Sequence, residues 1–242
     1  SEKTKAYMSV SYLNDKGYVP NSGFRRVSAR AKIDQNVAKW LKAGLNIAYS
    51  NTNQNQFGAE SSGSYSNIFF FGQNIAPIYP IYQYDLETGE RLYSENGETL
   101  YDWGEKRAYG QLSNPYGQLL SSTLNSVRDN MSSRGYLDFD ILKDLKFTVN
   151  LAYDIFNTKS DNYTTPVGGD AATVNGRGRQ STSRYSALNT NQLLSWTPSF
   201  GPSHEHSLSL LLGHEIKSDT SYGLSGEMTN FVDPTVSDFA NA

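Results

Sequence analysis

The sequence contains no cysteine. That excludes a disulfide framework and thiolate metal sites, and it suits a protein exported through an oxidising periplasm. Long apolar runs are missing as well. The longest, Ile68 to Phe71 and Leu210 to Leu212, fall far short of the ~20 residues of a transmembrane helix. There is no basic excess: 21 Lys and Arg stand against 24 Asp and Glu, a formal charge of −3. Neither nucleic acid nor an anionic lipid surface is therefore an expected partner. Hydrophobic residues make up 37% of the 242, too few to fill the interior of a soluble sandwich of this length. No signal peptide opens the sequence at Ser1; an outer-membrane protein needs one, so the expectation is a mature chain or a fragment.

What is abundant points elsewhere. Tyr occurs 17 times and Gly 20 times, and aromatics reach 13%. The clearest pattern is alternation between Phe24 and Ser50. Val27, Ala29, Ala31 and Ile33 fall on one face, with Arg26, Ser28, Arg30, Lys32 and Asp34 on the other. After a turn at 35–39 the pattern resumes with Leu41, Ala43, Leu45, Ile47 and Tyr49. Strand side chains alternate faces with period two, so each strand has one apolar and one wet side. That suits a membrane barrel wall, whose outer face is apolar and whose lumen is polar.

The same signal predicts about seven strands in all. One lies at 6–13, and two form the 24–50 hairpin. The next two, at 133–142 and from 146 to 155, are joined by a tight turn at Lys143 and Asp144. Leu137, Phe139 and Ile141 take the outward face of the fourth strand, Arg134, Tyr136, Asp138 and Asp140 the inward one. Asp154 is inward on the fifth. The last two strands are expected at 185–196 and 206–217. Connections at 35–39, 143–145 and 197–205 are short, whereas 53–127, 161–183 and the stretch after Ser218 are long; 14–22 is intermediate. Short periplasmic turns and longer extracellular loops are a property of outer-membrane barrels. Trp40, Tyr49, Tyr153, Tyr163 and Trp196 fall near strand ends, where an aromatic girdle belongs.

Within the longest connection a short helix is expected at 64–73, with Ile68, Phe69 and Phe71 buried. Asn114 and Pro115 read as a second helix start, Asn as the cap and Pro at the first position. The loop's aromatic residues, Phe69, Phe70, Tyr79, Tyr82, Tyr84, Tyr93, Tyr101, Trp103 and Tyr109, are the candidate contact surface for a ligand or partner; the alternative is that these rings form the loop's own small core. Catalytic and metal chemistry find little footing. His204, His206 and His214 lack zinc-protease spacing. Asp138, Asp140 and Asp154 share a face and could suggest glycoside hydrolysis, but Arg26, Arg30, Lys32, Arg134 and Lys146 oppose them and make a neutralised polar lining. Residues 175–179 are glycine-rich and basic without the context of a phosphate loop. No cofactor and no enzymatic activity are expected.

Taken together, these residues resemble a known family. The stretch from Tyr7 to Tyr12, Asp15 to Gly17, Phe24 to Arg30 and Trp40 to Asn46 look like the barrel of SusC/RagA-like TonB-dependent transporters. So do Ala76 to Pro80 followed by Asp85 and Gly89, the pair Asn114 and Pro115, the hairpin from Tyr136 to Tyr153, and Leu211 to Glu215. The resemblance implies an all-β, antiparallel transmembrane barrel segment spanning 1–242, carrying about seven of the roughly 22 strands of such a barrel. It also implies an outer-membrane location, a SusD-like surface lipoprotein partner, contact with outer-membrane lipid, and uptake of an oligosaccharide or peptide. TonB would engage through an N-terminal region and plug that these residues do not contain. Two rivals remain at this point: a passive porin or adhesin-like barrel, and a soluble carbohydrate-binding sandwich. The sandwich requires Val27, Ala29, Leu45 and Leu151 to share a buried core.

Overall fold

The computed structural model describes residues 3–56, 67–108, 110–203, 205–233 and 238–239. Its strands are β1 (Thr4–Lys16), β2 (Gly23–Ala38), β3 (Leu41–Asn55), β4 (Thr123–Leu142), β5 (Leu145–Thr164), β6 (Arg177–Trp196), β7 (Ser199–Phe200), β8 (His206–Ser207) and β9 (Leu210–Thr229). Seven of them form one antiparallel sheet in the order β1-β2-β3-β4-β5-β6-β9, while β7 and β8 pair as a small separate hairpin. Two helices, α1 (Ile68–Asn74) and α2 (Pro115–Ser121), lie in the connection between β3 and β4. No helix among the described residues is long and apolar enough to cross a membrane.

Register fixes the two faces. Val10 pairs with Ala29, Ala29 with Tyr49, Tyr49 with Met131 and Met131 with Ile155, one apolar row across five strands. A polar row three positions along runs Tyr7, Lys32, Asn46, Arg134, Ala152 and Asn189. On the apolar face the greasy stretch runs from Leu41 to Tyr49 on β3, Met131 to Phe139 on β4 and Phe147 to Ile155 on β5. Each covers about nine residues, the length of a tilted membrane-crossing strand. Val27, Leu45 and Leu151 are 42%, 43% and 51% exposed, and Ala29 is exposed too. No shared core covers them, so the sandwich reading fails.

Several boundaries differ from the sequence reading, for one physical reason. A 20-residue strand such as β5 is ~66 Å long at ~3.3 Å per residue, far beyond an apolar band ~25 Å tall. Past the band both faces are wet: Asn51, Asn53 and Asn55 continue the apolar parity of β3, and Asn157, Lys159 and Asp161 that of β5. Backbone pairing persists there while the period-two signal vanishes. Hence β4 begins at Thr123 and not near 133, β5 and β6 close the expected 161–183 loop down to 165–176, and the last strand runs on to Thr229. That strand also starts later than expected, at Leu210, because His206 and Ser207 pair with Ser199 and Phe200 instead. β2 runs through a register shift between Asn36 and Ala38, which moves the turn to Lys39 and Trp40. The first helix is expected from 64, but 64–66 lie outside the described residues. Within α1 no residue is buried, and Phe69 is 47% exposed, contrary to the expected burial of Ile68, Phe69 and Phe71.

At the short-turn end the apolar face carries a run of rings: Trp40 stacks on Phe139 (centroids 6.3 Å), and Phe139 sits 6.1 Å from Phe147. At the other end of the band the Tyr49 hydroxyl donates to Asp129 Oδ1 at 2.5 Å. Tyr163 departs from the expected girdle; it is buried and packs edge-on against Phe231 (5.1 Å) above the sheet. The described core lies there as well: Val19, Leu119, Tyr163, Ala171 and Phe231 are its buried hydrophobic residues, whereas β1 to β4 and β9 bury none. The segment is a wall with a small folded cap at its long-loop end.

One cross-strand joint braces the wall. Gly44 on β3 pairs with Tyr136 on β4, and the Tyr136 ring lies over it: a Cβ at Gly44 would meet Tyr136 Cε1 at 2.0 Å and Asp34 Oδ1 at 2.8 Å. The Tyr136 hydroxyl reaches across to donate to Asp34 Oδ1 on β2 at 3.0 Å. Gly44→Ala in the full-length protein should therefore evict the ring and cost about 1–3 kcal/mol of stability. Tyr136→Phe, losing one hydrogen bond, should cost about 0.5–1.5 kcal/mol. Denaturant unfolding in detergent reads both; an unchanged midpoint for Gly44→Ala would refute the joint.

Candidate functional site

The polar face is electrostatically ordered at its short-turn end. Arg134 grips Asp154 through two parallel bonds of 3.1 Å each, the bidentate geometry favoured by guanidinium and carboxylate. Lys146 pairs with Asp138 (2.9 Å), Lys32 with Asp34 (2.8 Å) and Lys42 with Asp140 (3.8 Å). Asp138 also accepts from Thr148 at 2.7 Å. These exposed or half-exposed pairs contribute little to stability individually; they neutralise the surface and fix the side chains in place. Asp138, Asp140 and Asp154 each meet a cation, Lys146, Lys42 and Arg134 respectively. Of the expected basic residues Lys32 is paired in this way, whereas Arg26 and Arg30 have no carboxylate partner among the described residues.

The long connection folds around two polar side chains. Arg107 is buried, and its Nη2 donates to Pro80 O and Asp102 O (3.1 Å each) while Nη1 donates to Ser113 O (3.3 Å). Its charge is met by Asp102 Oδ2 at 2.9 Å, and its guanidinium lies 4.9 Å from the Tyr79 ring centroid. Asn114 caps α2 by accepting from Gly117 N at 3.0 Å, and its amide donates to Ile81 O (2.7 Å) and Asp102 O (3.0 Å). The two residues together clamp both sides of the neck of a projecting arm. The arm is built from bridges pairing Tyr82 with Tyr101, Tyr84 with Arg91 and Tyr93 with Thr99. Gly89 and Gly97 take positive φ (72° and 80°) at its turns, where a side chain would be strained.

The candidate aromatic residues thus divide into groups. Tyr82, Tyr101 and Tyr116 form a three-ring cluster with centroids 5.8–6.3 Å apart, and Arg91 sits 3.6 Å above the Tyr82 ring, a cation–π contact. Burial pushes the Tyr101 phenol above its usual range, with Tyr82 and Tyr116 adding to the effect. Trp103 lies flat on Gly168, where a Cβ would stand 2.1 Å from the ring, and so ties this connection to the one between β5 and β6. Tyr84 and Tyr93, 41% and 55% exposed, face solvent on the arm. Phe69 lies apart from them, 6.4 Å from Tyr18. Tyr109 lies outside the described residues, as does His204; His206 is in the small hairpin, and His214 faces Gln192 Oε1 at 2.7 Å on the apolar side of the sheet. Asn21 Nδ2 donates to Leu119 O (3.0 Å), and Thr165 N to Ser122 Oγ (3.3 Å), joining three connections into one cap. Sequence reasoning found the Asn114 cap but missed Arg107 and Tyr116, which follow no periodic pattern; the nearest signal was the density of Tyr around them.

No protein-family model matches the sequence. Among curated proteins, TonB-dependent receptor P26 of Formosa agariphila is 24% identical over 247 residues, covering 96% of this chain. TonB-dependent receptor P3 of the same organism is 24% identical over 243 residues, covering 98%. The chain is similar in sequence to these TonB-dependent receptors. It spans 22% of the length of these two relatives. Solved structures of the RagAB peptide importer in its 'closed-closed' state and of the RagAB peptide transporter share the fold. Each has a TM-score of 0.70 and 18% identity, and they cover 99% and 100% of this chain. This chain corresponds to about a quarter of theirs, 25% and 26%. At that identity the likeness establishes the fold, and the seven-stranded sheet matches it.

Two predictions arise from the loop geometry. Arg107→Ala leaves the Asp102 carboxylate without its cation and the Pro80 and Ser113 carbonyls without a donor, and breaking a buried pair of this kind costs about 3–5 kcal/mol. Hydrogen exchange should accelerate across 79–114 while β2 to β5 stay protected; uniform exchange in both would refute the clamp. At the arm's first turn Asp85 Oδ1 accepts from Glu87 N and Thr88 N (2.8 Å each). These amides, Thr88 first, hold the Asp85 carboxyl below the usual carboxylate range. A depressed folded value means the stabilisation is complete above the unfolded value of about 3.9 and is lost as pH falls through the folded one. The Thr88 amide resonance should stay constant from neutral pH down to about 5 and move below about 4, and Asp85→Asn should abolish that movement.

Proposed function

We propose that the chain forms part of the wall and outer rim of a TonB-dependent outer-membrane transporter that imports oligosaccharides or peptides together with a SusD-like surface lipoprotein. One observation carries this reading: a meander sheet whose one face is apolar for about nine residues per strand and whose other face is lined with paired charges. Short turns at one end and folded connections at the other suit a periplasmic and an extracellular side. The similarity to TonB-dependent receptors favours energised uptake over a passive porin. In this reading Arg26, Arg30, Lys32, Asp138, Asp140 and Asp154 line the lumen. The arm and cap, with Phe69, Tyr79, Tyr82, Tyr84, Tyr93, Tyr101 and Trp103, face the ligand or the lipoprotein. In this reading TonB engages an N-terminal region of the transporter and not the wall.

Strand parity gives a direct test. In the full-length protein, Leu151→Cys should react with a bilayer-restricted reagent and resist a water-soluble maleimide. Its neighbour Asn150→Cys should do the reverse. Equal labelling of both by the aqueous reagent would sink the membrane-wall reading, and ligand uptake that persists without TonB would sink the energised one.

A further inference from the structure

The cations of the polar face are not distributed evenly. Toward the short turns, Lys32, Lys42, Arg134, Lys146 and Lys217 each sit within 4.0 Å of a carboxylate. Higher on the same face, Arg26, Arg30 and Arg128 have no carboxylate partner among the described residues. Arg26 and Arg128 share a row, separated by Thr52, so their backbones are ~10 Å apart at ~4.8 Å per strand. Arg30 lies four positions along β2 from Arg26, ~13 Å at ~3.3 Å per residue. Two are tethered by Nε, Arg30 to Asn46 Oδ1 (3.1 Å) and Arg128 to Thr158 Oγ1 (3.2 Å). These bonds use only Nε and leave the two terminal nitrogens of each guanidinium out of them. Two acids of this face do not answer them: Asp154, in the row of Arg30, is held by Arg134, and Asp15, opposite Phe24 on β1, makes no ion pair among the described residues.

Between the three arginines the wall is recessed. A depression of about 270 Å³ is lined by Ser11, Ser28, Arg30, Ser50, Asn130 and Ser132. Asn130 Oδ1 is buried there without a hydrogen-bond partner. In the row that contains Ser50 and Asn130, the next two strands present Phe156 and Tyr185, an aromatic pair with centroids 5.9 Å apart. Guanidinium groups recognise oxyanions through paired donors, a pyranose presents an apolar C–H face to an aromatic ring, and hydroxyl and amide side chains exchange hydrogen bonds with sugar hydroxyls. No closed apolar pocket for a peptide side chain accompanies them.

We infer that Arg26, Arg30 and Arg128, with Phe156 and Tyr185, form a subsite on the polar face for an oligosaccharide bearing carboxylate or sulfate groups. The inference rests on the lumen assignment made above and adds the sign of the ligand's charge. Its test reads binding, so it is separable from failure of the transport reading, which the labelling and uptake experiments report. Full-length protein in detergent is titrated with tetragalacturonate, a sulfated carrageenan tetrasaccharide, maltotetraose and tetraglutamate. At least one acidic sugar should bind at least tenfold tighter than maltotetraose, and the stronger of the two identifies carboxylate or sulfate as the recognised group. Combined Arg26→Gln, Arg30→Gln and Arg128→Gln should weaken that binding at least tenfold. Combined Lys42→Gln, Lys146→Gln and Lys217→Gln, an equal change of charge among the paired cations, should alter it less than twofold. Thermal unfolding verifies that both triple variants remain folded. The subsite is overturned if neither acidic sugar binds, if maltotetraose binds as well as they do, or if both triple variants lose affinity equally. Tighter binding of tetraglutamate than of either sugar also overturns it, in favour of an acidic peptide.

Discussion

Everything in this structure hangs on the lateral backbone ladder. Seven strands exchange N–H and C=O groups with their neighbours in unbroken antiparallel register apart from two irregularities, after Asn36 and after Asp140. A one-residue slip in any strand would turn its apolar side chains onto the polar face, so the ladder decides which face each side chain joins. It also decides what the wall can tolerate as solvent. Where hydrocarbon cannot satisfy a backbone amide, lateral pairing must, and the interior strands of this sheet meet that condition over their full length.

How much of this was legible in the sequence depended on whether the two faces of a strand met different surroundings. Ala29, Leu45, Leu151 and their neighbours alternate with Arg30, Asn46 and Asn150, and the short-turn ends of the strands they occupy were readable to within a few residues. Beyond Tyr49 and Ile155 the faces become alike, and periodicity could not report that pairing continues to Asn55 and Thr164. The tight turn at Lys143 and Asp144 was readable because hydrophobic periods on either side converge on it. The loop was readable only at its punctuation: Asn114 and Pro115 announced α2 through local chemistry. Arg107 organises the neck through carbonyls from positions 80, 102 and 113, and no local pattern encodes contacts that distant. Phe156 and Tyr185 were likewise hidden, because each reads as an ordinary strand residue until the register sets them side by side.

The polar face shows a division of labour along its height. Near the short turns, bidentate and single ion pairs take up most of the charges and make the surface electrically quiet. Nearer the cap, arginines outnumber acids and small hydroxyl side chains open space between them. A uniformly neutral lining would pass polar molecules indifferently; a lining that keeps its positive charges available at one level discriminates there by charge.

The clamp on the loop neck carries a mechanical corollary. Arg107 and Asn114 bind the incoming and outgoing chains of the arm to the start of α2, and Trp103 on Gly168 and Asn21 on Leu119 bind that unit to its neighbours on both sides. Such a linkage braces the neck of the arm on both sides. Force applied at its tip is delivered to the rim of the sheet as a lever delivers it to a fulcrum, so a large object settling on the arm would be felt by the strands beneath it.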